Sequence, residues 1–284
     1  MEISHHRASI ARGCWKKYYW TYVENLKPIK KGIPLTLGSI MHDAFEKLYK
    51  GESDAGVRQY INGEFDNEIS KVSLPDQEDL IIAKLMALGM WEFNPFKREK
   101  FEHIEPEEEF SVKLGNGILK GRVDGRVKKR GVWWVREVKT TALNQRQFEG
   151  RMQTSAQGSG YVYALRSKGY PVEGIMVDYL KRSLLRKRKE ETVYEYGQRI
   201  YLDYHDKPRY YFGRIYTYRN PVHLLNYEQD MIELVQDIED RLKSNKWYRN
   251  YDNCWNYNAE CPFKKICYTD KPDKLTLELY FERK

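Results

Sequence analysis

The sequence lacks any long apolar run. No stretch of about 18 uncharged apolar residues occurs, and the first residues, MEISHHRASIARGCWKK, carry charges where a signal peptide needs an apolar segment. No internal repeat or low-complexity linker divides the 284 residues, and a hydrophobic content of 41% can bury a substantial core. We therefore expect a soluble, cytoplasmic protein with one domain over residues 1–284 and no membrane partner.

Cysteine is scarce, with only Cys14, Cys254, Cys261 and Cys267 in the chain. Disulfides are not the default in a reducing compartment, so three cysteines close together near one end predict a metal site. The chain also lacks the Gly-x4-Gly-Lys-(Ser/Thr) phosphate loop, and with it any helicase signature of its own.

Acidic residues are fewer than basic ones. The 49 Lys and Arg against 41 Asp and Glu give a formal charge of +8, which favours a polyanionic partner. Five aromatic residues crowd around Lys16 and Lys17, and a run of four cations occupies 186–189. Aromatic rings beside cations can stack splayed bases, although core packing explains Trp15 and Trp20 better. The cationic run is either a patch that follows a phosphate backbone or a solvated loop.

Hydrophobic periodicity predicts an α/β core. The predicted helices are 38–49, 57–72 and 76–93, then 145–168, and a long one at 222–243. The predicted strands are 108–114, 118–129 and 132–140, joined by turns, then 172–181 and 209–219. The order is therefore helix, three-strand antiparallel meander, helix, strand.

One pair of residues on the third predicted strand indicates a candidate catalytic site. Glu137 and Lys139 are two positions apart and project from one face of a sheet. A hairpin through Arg130-Gly131 would bring Asp124 of the preceding strand beside Glu137. Acid-x-Lys occurs elsewhere only at Glu282/Lys284, and only the first instance follows a strand-embedded aspartate.

This arrangement suits phosphodiester hydrolysis. The reaction needs charge neutralisation at the phosphoryl oxygens and an activated water, which one or two Mg²⁺ or Mn²⁺ ions can supply. Two carboxylates from neighbouring strands can share such an ion, while the ammonium orients or helps deprotonate the water. The alternative is a chance acid-lysine pair in a highly charged chain.

The segments GRVDG and REVKT resemble the PD-(D/E)XK nuclease superfamily, in particular its RecB-like branch. The resemblance implies a restriction-endonuclease-like core with N-terminal helices. It also implies catalytic roles for Asp124, Glu137 and Lys139, of which the two carboxylates would bind the metal.

Two flanking segments resemble the same branch. GSIMHDAFEKLY is similar to its N-terminal helix with a metal-binding histidine, here His42, and QGSGYVYAL to its Gln-x-x-x-Tyr helix, here Gln157 and Tyr161. Each has a plainer reading, as a surface histidine or as an ordinary i, i+4 pair. The branch often adds a first-strand glutamate to the metal ligands, for which Glu109 ranks slightly above Glu108.

The cysteines resemble those of the iron-sulfur nucleases of this branch, namely the AddB nuclease domain and the CRISPR-associated exonucleases of the "Cas four" type. There, one cysteine precedes the core and three follow it, and together they bind a [4Fe-4S] cluster. Cys14 with residues about 247–270 would form this C-terminal cluster module. Six residues separate Cys254 from Cys261, whereas these families commonly have two residues at this place. Four thiolates also suit zinc. Either metal would clasp the chain's ends, constraining the unfolded state by on the order of 5 kcal/mol.

Two functions remain open at this stage. The first is a metal-dependent DNA exonuclease, for which single-stranded or frayed ends are the favoured substrate. The second is a catalytically inactive, cluster-bearing subunit that binds DNA or assembles a recombination or CRISPR complex. RNA is a further possible substrate, and a helicase, a recombinase or a CRISPR integration complex are candidate partners.

Overall fold

The computed structural model describes residues 1–256, 259–269 and 272–283. Residues 257, 258 and 270 of the predicted cysteine segment, together with 271 and Lys284, lie outside the described residues. The helices are α1 (His5–Gly13), α2 (Trp15–Tyr18), α3 (Ile33–Tyr49), α4 (Asp54–Ser70), α5 (Leu74–Glu92), α6 (Gln145–Gln153), α7 (Ala156–Ser167), α8 (Val193–Asp206), α9 (Pro208–Tyr211), α10 (Pro221–Ser244), α11 (Lys264–Cys267) and α12 (Lys274–Tyr280).

The strands are β1 (Glu2–Ile3), β2 (Leu26–Pro28), β3 (His103–Glu105), β4 (Glu108–Leu114), β5 (Gly117–Val123), β6 (Gly125–Lys129), β7 (Val132–Thr141), β8 (Val172–Lys181), β9 (Phe212–Tyr218), β10 (Trp255–Asn256), β11 (Ala259–Glu260) and β12 (Phe281–Arg283). Tyr19–Val23 forms a π-helical turn and Tyr251–Asn253 a 3₁₀ turn. No helix within the described ranges combines the length and apolar character that crossing a bilayer requires.

The chain divides into two compact units. The terminal unit contains Met1–Lys31, Phe110–Gly121 and the described part of Pro221–Lys284, and the sheet unit contains Gly32–Glu109 and Arg122–Asn220. In the terminal unit, β5 lies between β1 and β4, and β2 pairs with β12. Every residue of the predicted metal and catalytic set except the cysteines lies in the sheet unit.

A five-stranded mixed sheet with the order β3-β6-β7-β8-β9 forms the centre of the sheet unit. β7 and β8 run parallel over nine paired positions, and the other neighbours are antiparallel. β7 pairs with β8 over residues 133–141 and with β6 over residues 132–136, and its residues 134–138 are all buried. Glu137 therefore lies on a buried strand, just past the last position that is paired on both sides.

The two faces of the sheet are covered by different helices. On the face that carries Val138, α3, α5 and α8 form a large apolar core that includes Phe45, Trp91 and Ile200. On the opposite face, α7 lies close to β8. A Cβ built on Gly158 of α7 would come within 1.8 Å of the Ile175 side chain, so glycine permits this approach. The helix α7 therefore closes the face from which Glu137 projects.

A buried ionic network ties three strands together on the Val138 face. The Asp178 carboxylate accepts hydrogen bonds from Arg136 at 2.8 Å and from Arg214 at 2.5 and 2.9 Å. Arg136 is only 1% exposed, and its guanidinium lies over the Tyr49 ring of α3 at 4.1 Å. Since removing one member would leave an uncompensated buried charge, the network fixes the spacing of β7, β8 and β9.

The predicted three-strand meander differs from the observed sheets. Its middle strand, 118–129, bends at Asp124 and divides into β5 and β6, which join different sheets. The glycine after the bend explains the division, because a Cβ on Gly125 would lie 2.8 Å from the Glu105 carbonyl oxygen. Only glycine allows β6 to approach β3 this closely where the two strands begin to pair, and the bend leaves Asp124 directly before this pairing.

One predicted helix is divided in the structure, and one observed helix was not predicted. The single helix predicted over 145–168 is broken at Thr154 and Ser155, where the Ser155 hydroxyl caps α7 by accepting a hydrogen bond from Gly158 N at 3.2 Å. The helix α8 was not predicted, although Thr192 and Glu195 form a capping box at its first turn. The predicted helices at 38–49, 57–72, 76–93 and 222–243 correspond to α3, α4, α5 and α10, which mostly begin a few residues earlier.

Candidate active site

The central strand β7 presents Glu137 and Lys139 on the face that α7 covers. The side chain of Glu137 is 5% exposed and that of Lys139 is 31% exposed, and the Lys139 ammonium contacts Glu137 Oε1. The other carboxylate oxygen, Glu137 Oε2, is buried without a hydrogen-bond partner among the described residues. A buried, half-satisfied carboxylate is costly, so this oxygen is suited to an incoming cation or donor.

Asp124 lies at the bend that precedes β6. The register of the hairpin pairs Gly125 with Arg136, which places Asp124 next to Glu137. One oxygen of Asp124, Oδ2, accepts a hydrogen bond from the backbone N–H of Val138 at 3.1 Å. The bond between a side chain at the bend and the backbone of the central strand fixes the aspartate beside the Glu137–Lys139 pair.

The helix α3 adds His42 to this group. His42 Nε2 lies 2.5 Å from Asp124 Oδ1, so both oxygens of the aspartate have a partner. The hydrogen bond to Asp124 raises the pKa of His42 above its ordinary value. The preceding residue on α3, Met41, and Phe45 one turn later are buried in the core and hold the histidine at the sheet edge.

The electrostatics of Glu137 depend on its neighbours. Burial first, and the nearby charge of Asp124 second, raise the pKa of Glu137 to about 7. The Lys139 ammonium opposes this effect without cancelling it, and its own pKa is raised because the two carboxylates outweigh its burial. Two acidic groups therefore compete for one ammonium, and a divalent cation would relieve their repulsion.

The helix α7 brings Gln157 and Tyr161 to the same place. Gln157 Nε2 donates to Tyr161 Oη at 2.7 Å. Burial first, and then the negative charges of Glu137 and Asp124, raise the pKa of Tyr161 well above its usual range. The tyrosine is therefore neutral and lies within electrostatic range of both carboxylates.

The model of the PD-(D/E)XK nuclease superfamily matches residues 2–268. The chain belongs to the PD-(D/E)XK nuclease superfamily. The crystal structure of a putative exonuclease from Eubacterium rectale superposes with a TM-score of 0.50 at 13% sequence identity, covering 98% of this chain and 92% of that one. This likeness supports the mixed α/β fold. A comparison with curated protein sequences finds no match.

Nucleases of the PD-(D/E)XK superfamily use divalent metals, and the acidic group fits such an ion. Glu137 Oε2 is an unpartnered buried oxygen, and carboxylate oxygens with an imidazole nitrogen suit Mg²⁺ or Mn²⁺. Glu137, Asp124 and His42 are the residues that would hold it. The Lys139 ammonium already neutralises one carboxylate. The negative charge that remains on the group suits a single divalent cation.

Two glutamates other than the predicted Glu109, namely Glu46 and Glu107, line a cavity beside this group. This small cavity is also lined by His42, Asp124 and Val138, and the side chain of Glu107 is 7% exposed. Glu109 is exposed on β4. Glu108 pairs with Arg126 at 3.1 Å and contacts Lys168. Glu107 contacts Arg122. Because Glu107, Glu108 and Glu109 have the same side-chain chemistry, only the position at which the strand β4 begins could distinguish Glu107 from the other two.

A second acidic group on α3 was missed. Ligand atoms of His42, Asp43 and Glu46 lie within 4.8 Å of one another, in an arrangement that can hold a metal ion. Tyr60 donates a hydrogen bond to Asp43 at 3.1 Å, and Lys50 lowers the pKa of Glu46. Both acids therefore have partners already, in contrast to Glu137 Oε2. The spacing i, i+1, i+4 on a helix was the available signal.

The four cysteines lie in the terminal unit as free thiols. Cys14 Sγ accepts a hydrogen bond from Asn250 N at 3.3 Å, and Cys261 N donates to Cys254 O at 2.9 Å. Burial first, and then Cys14 among other neighbours, raise the pKa of Cys261 and of Cys267. The sulfurs are therefore close enough to influence one another's ionisation.

The metal affinity of the acidic group should depend on pH. The cation needs ionised Glu137 and neutral His42, and both pKa values are raised, so protons compete with the metal as pH falls. We expect Mn²⁺ to raise the melting temperature clearly at pH 8 and to bind about tenfold more weakly at pH 6, one unit below the Glu137 pKa.

Thermal melts with and without MnCl₂ measure this effect. Glu137→Gln should abolish the Mn²⁺-induced rise, whereas Glu78→Gln, which alters an exposed glutamate on α5, should retain it. An equal rise in the Glu137→Gln variant would contradict the assignment of this carboxylate to the metal.

Proposed function

We propose that this chain is a metal-dependent DNA exonuclease whose reaction centre is formed by Asp124, Glu137 and Lys139. The observation that carries the proposal is the unpartnered, buried oxygen of Glu137 beside a second carboxylate and an ammonium. A purely structural acid at this depth would be expected to have both oxygens satisfied. An inactive subunit would gain nothing from keeping this cost.

Each residue of the group has a separate role in the proposal. A divalent cation held by Glu137, Asp124 and His42 would neutralise the scissile phosphate and lower the pKa of a water. Lys139 is 31% exposed, so its ammonium can reach a water and offset charge that develops on the phosphoryl oxygens. Asp124 is held by Val138 N and His42, which keeps it fixed during the reaction.

The remaining polar residues border the centre. Gln157 and Tyr161 are hydrogen-bonded to each other and belong to the helix that covers Glu137. In the proposal they contact substrate or position Lys139. Glu107 takes the place that the sequence suggested for Glu109, since it lines the cavity with His42 and Asp124.

Replacement of Lys139 tests the mechanism. Lys139→Ala should lower the rate of Mn²⁺-dependent DNA degradation at least ~10²-fold, because a partner of transition-state charge is lost. Lys128→Ala, on the neighbouring strand β6, is the matched control and should keep the activity within about threefold, as expected of a change that touches no transition-state partner.

The assay follows release of acid-soluble nucleotides from end-labelled DNA, with circular dichroism melts to establish that both variants fold. Unchanged activity in a folded Lys139→Ala variant would remove this mechanism. Absence of any Mn²⁺-dependent degradation by the unmodified chain would favour the inactive, DNA-binding subunit instead.

We further propose that Cys14, Cys254, Cys261 and Cys267 bind a [4Fe-4S] cluster. Four free thiols in one unit support a shared ligand set. Four thiolates also suit zinc in a closed tetrahedral site, so zinc is the alternative occupant.

Backbone contacts support the idea of a clasp. Asn250 and Asn253 side chains donate to Gly13 O at 3.0 and 2.7 Å, beside Cys14. Arg249 donates to Cys267 O at 3.0 and 2.6 Å. The segment after α10 is therefore tied both to the end of α1 and to Cys267 by neutral and charged hydrogen bonds, and the thiols are held near their partners before any metal binds.

Metal analysis of protein purified without oxygen tests the cluster. We expect about four iron and four acid-labile sulfide per chain, little zinc, and loss of the iron in Cys261→Ser. Stoichiometric zinc without sulfide would contradict the cluster and leave the nuclease proposal standing.

A further inference from the structure

Four consecutive cations form an exposed segment, which we call the cationic strap: Arg186, Lys187, Arg188 and Lys189. All four residues are exposed, and none of their side chains forms an ion pair with any part of the chain that the structure describes. Glu190 follows the strap. Four adjacent like charges repel one another, so the strap gains no stability from its own charges.

The backbone of the strap is nevertheless held in place by α8. Arg199 Nη2 donates to Arg186 O at 2.9 Å, and Tyr196 Oη donates to Leu185 O. Arg188 N donates to Glu191 Oε2 at 2.9 Å. Hydrogen bonding by Arg199 lowers the pKa of Glu191 to about 2, so this ionised acid is paired with Arg199 and interacts with the strap only through Arg188.

The helix that holds the strap is itself fixed. Gly197 of α8 lies so close to α5 that a Cβ there would come within 2.1 Å of the Leu85 side chain. Tyr204 is fully buried, and its hydroxyl accepts from Ser183 N at 3.1 Å and donates to Lys181 O at 2.9 Å. The entry to the strap is therefore anchored to the core of the sheet unit, which is unusual for a run of charges that serves only solvation.

The strap begins at the same edge of the sheet as the reaction centre. It follows β8, and Arg182 N donates to Thr141 O at 2.6 Å, at the end of β7. Lys139 is two residues before Thr141, about 7 Å along the strand. Four more residues of chain reach Arg186, which spans at most about 14 Å. In parallel sheets, ligands bind at this carboxyl edge.

We propose that the cationic strap is a binding site for the phosphate backbone of a single nucleic-acid strand whose end occupies the reaction centre. This inference rests on the proposed function. The occupant is assigned from charge complementarity: four exposed cations that form no ion pair with the described residues suit a chain of regularly spaced anions, and the held backbone at Arg186 and Arg188 reduces the entropy lost on binding. These chain lengths place the contacted phosphates within a few nucleotides of the scissile bond.

Replacement of all four cations by glutamine tests the site. Arg186 and Arg188 use only backbone atoms in the contacts with α8, so the R186Q/K187Q/R188Q/K189Q variant keeps these hydrogen bonds. The matched control is R58Q/K71Q/R98Q/K100Q, which removes four exposed charges scattered over the same unit. Both variants have the same net charge.

The first measurement is fluorescence anisotropy of a labelled 20-nucleotide oligothymidylate in EDTA, where no cleavage occurs. The strap variant should bind at least about tenfold more weakly, and its log–log salt slope should fall by about 3, since each phosphate contact on a single strand contributes about 0.7. The control should stay within about twofold. Equal binding by both variants would overturn the proposal. The same result is expected if the strap binds an acidic protein instead of nucleic acid.

The second measurement separates this inference from the proposed function. With Mn²⁺, the strap variant should show about tenfold higher KM on the oligonucleotide and an unchanged rate on thymidine 5′-monophosphate p-nitrophenyl ester, which is too short to reach the strap. An equal loss on both substrates would contradict a distant phosphate site. If the unmodified chain hydrolyses neither substrate, the proposed function fails, and the anisotropy result still decides whether the strap binds nucleic acid.

Discussion

The burial of one carboxylate, that of Glu137, is the constraint on which the account depends. It lies on the central strand, next to a second carboxylate and under a helix, where an unpaired negative charge is expensive. Lys139 offsets part of this cost through one carboxylate oxygen, and the other oxygen is without a hydrogen-bond partner among the described residues. A cation that binds there gains more than it would at an exposed acid, because the competing water is already excluded.

The rest of the sheet unit maintains this arrangement of charges. The Arg136–Asp178–Arg214 network fixes the strands from the face opposite to Glu137, and Gly158 brings α7 down on the other face. Asp124 is oriented by a backbone N–H of the central strand itself. An electrostatically costly arrangement of this kind persists only where the surroundings maintain it, and perturbed carboxylates cluster at functional sites.

The sequence predicted which side chains come together better than it predicted the architecture. Glu137, Lys139 and Asp124 could be found because a two-residue spacing on a strand and a hairpin register are local rules. The division of the middle strand at Asp124 could not, because it depends on the contact between Gly125 and the Glu105 carbonyl. Glu107 was missed for a similar reason, since three adjacent glutamates differ only in where the chain enters the strand.

The helix α8 could not be predicted from the sequence for a different reason. Its capping box, Thr192 and Glu195, follows directly on a highly charged stretch that discourages any assignment of structure. In the folded chain, the same helix holds that stretch through Arg199 and Tyr196. From sequence alone, a charged loop is interpreted as solvated, because the element that holds its backbone is not known.

The most direct test of the central claim is a crystal structure of the chain soaked in Mn²⁺ at pH 8, with anomalous scattering measured at the manganese edge. The account predicts a peak about 2.1 Å from an oxygen of Glu137 and from a ligand atom of Asp124 or His42. A saturating soak with a peak only at Asp43 and Glu46, or with none near Glu137, would contradict it.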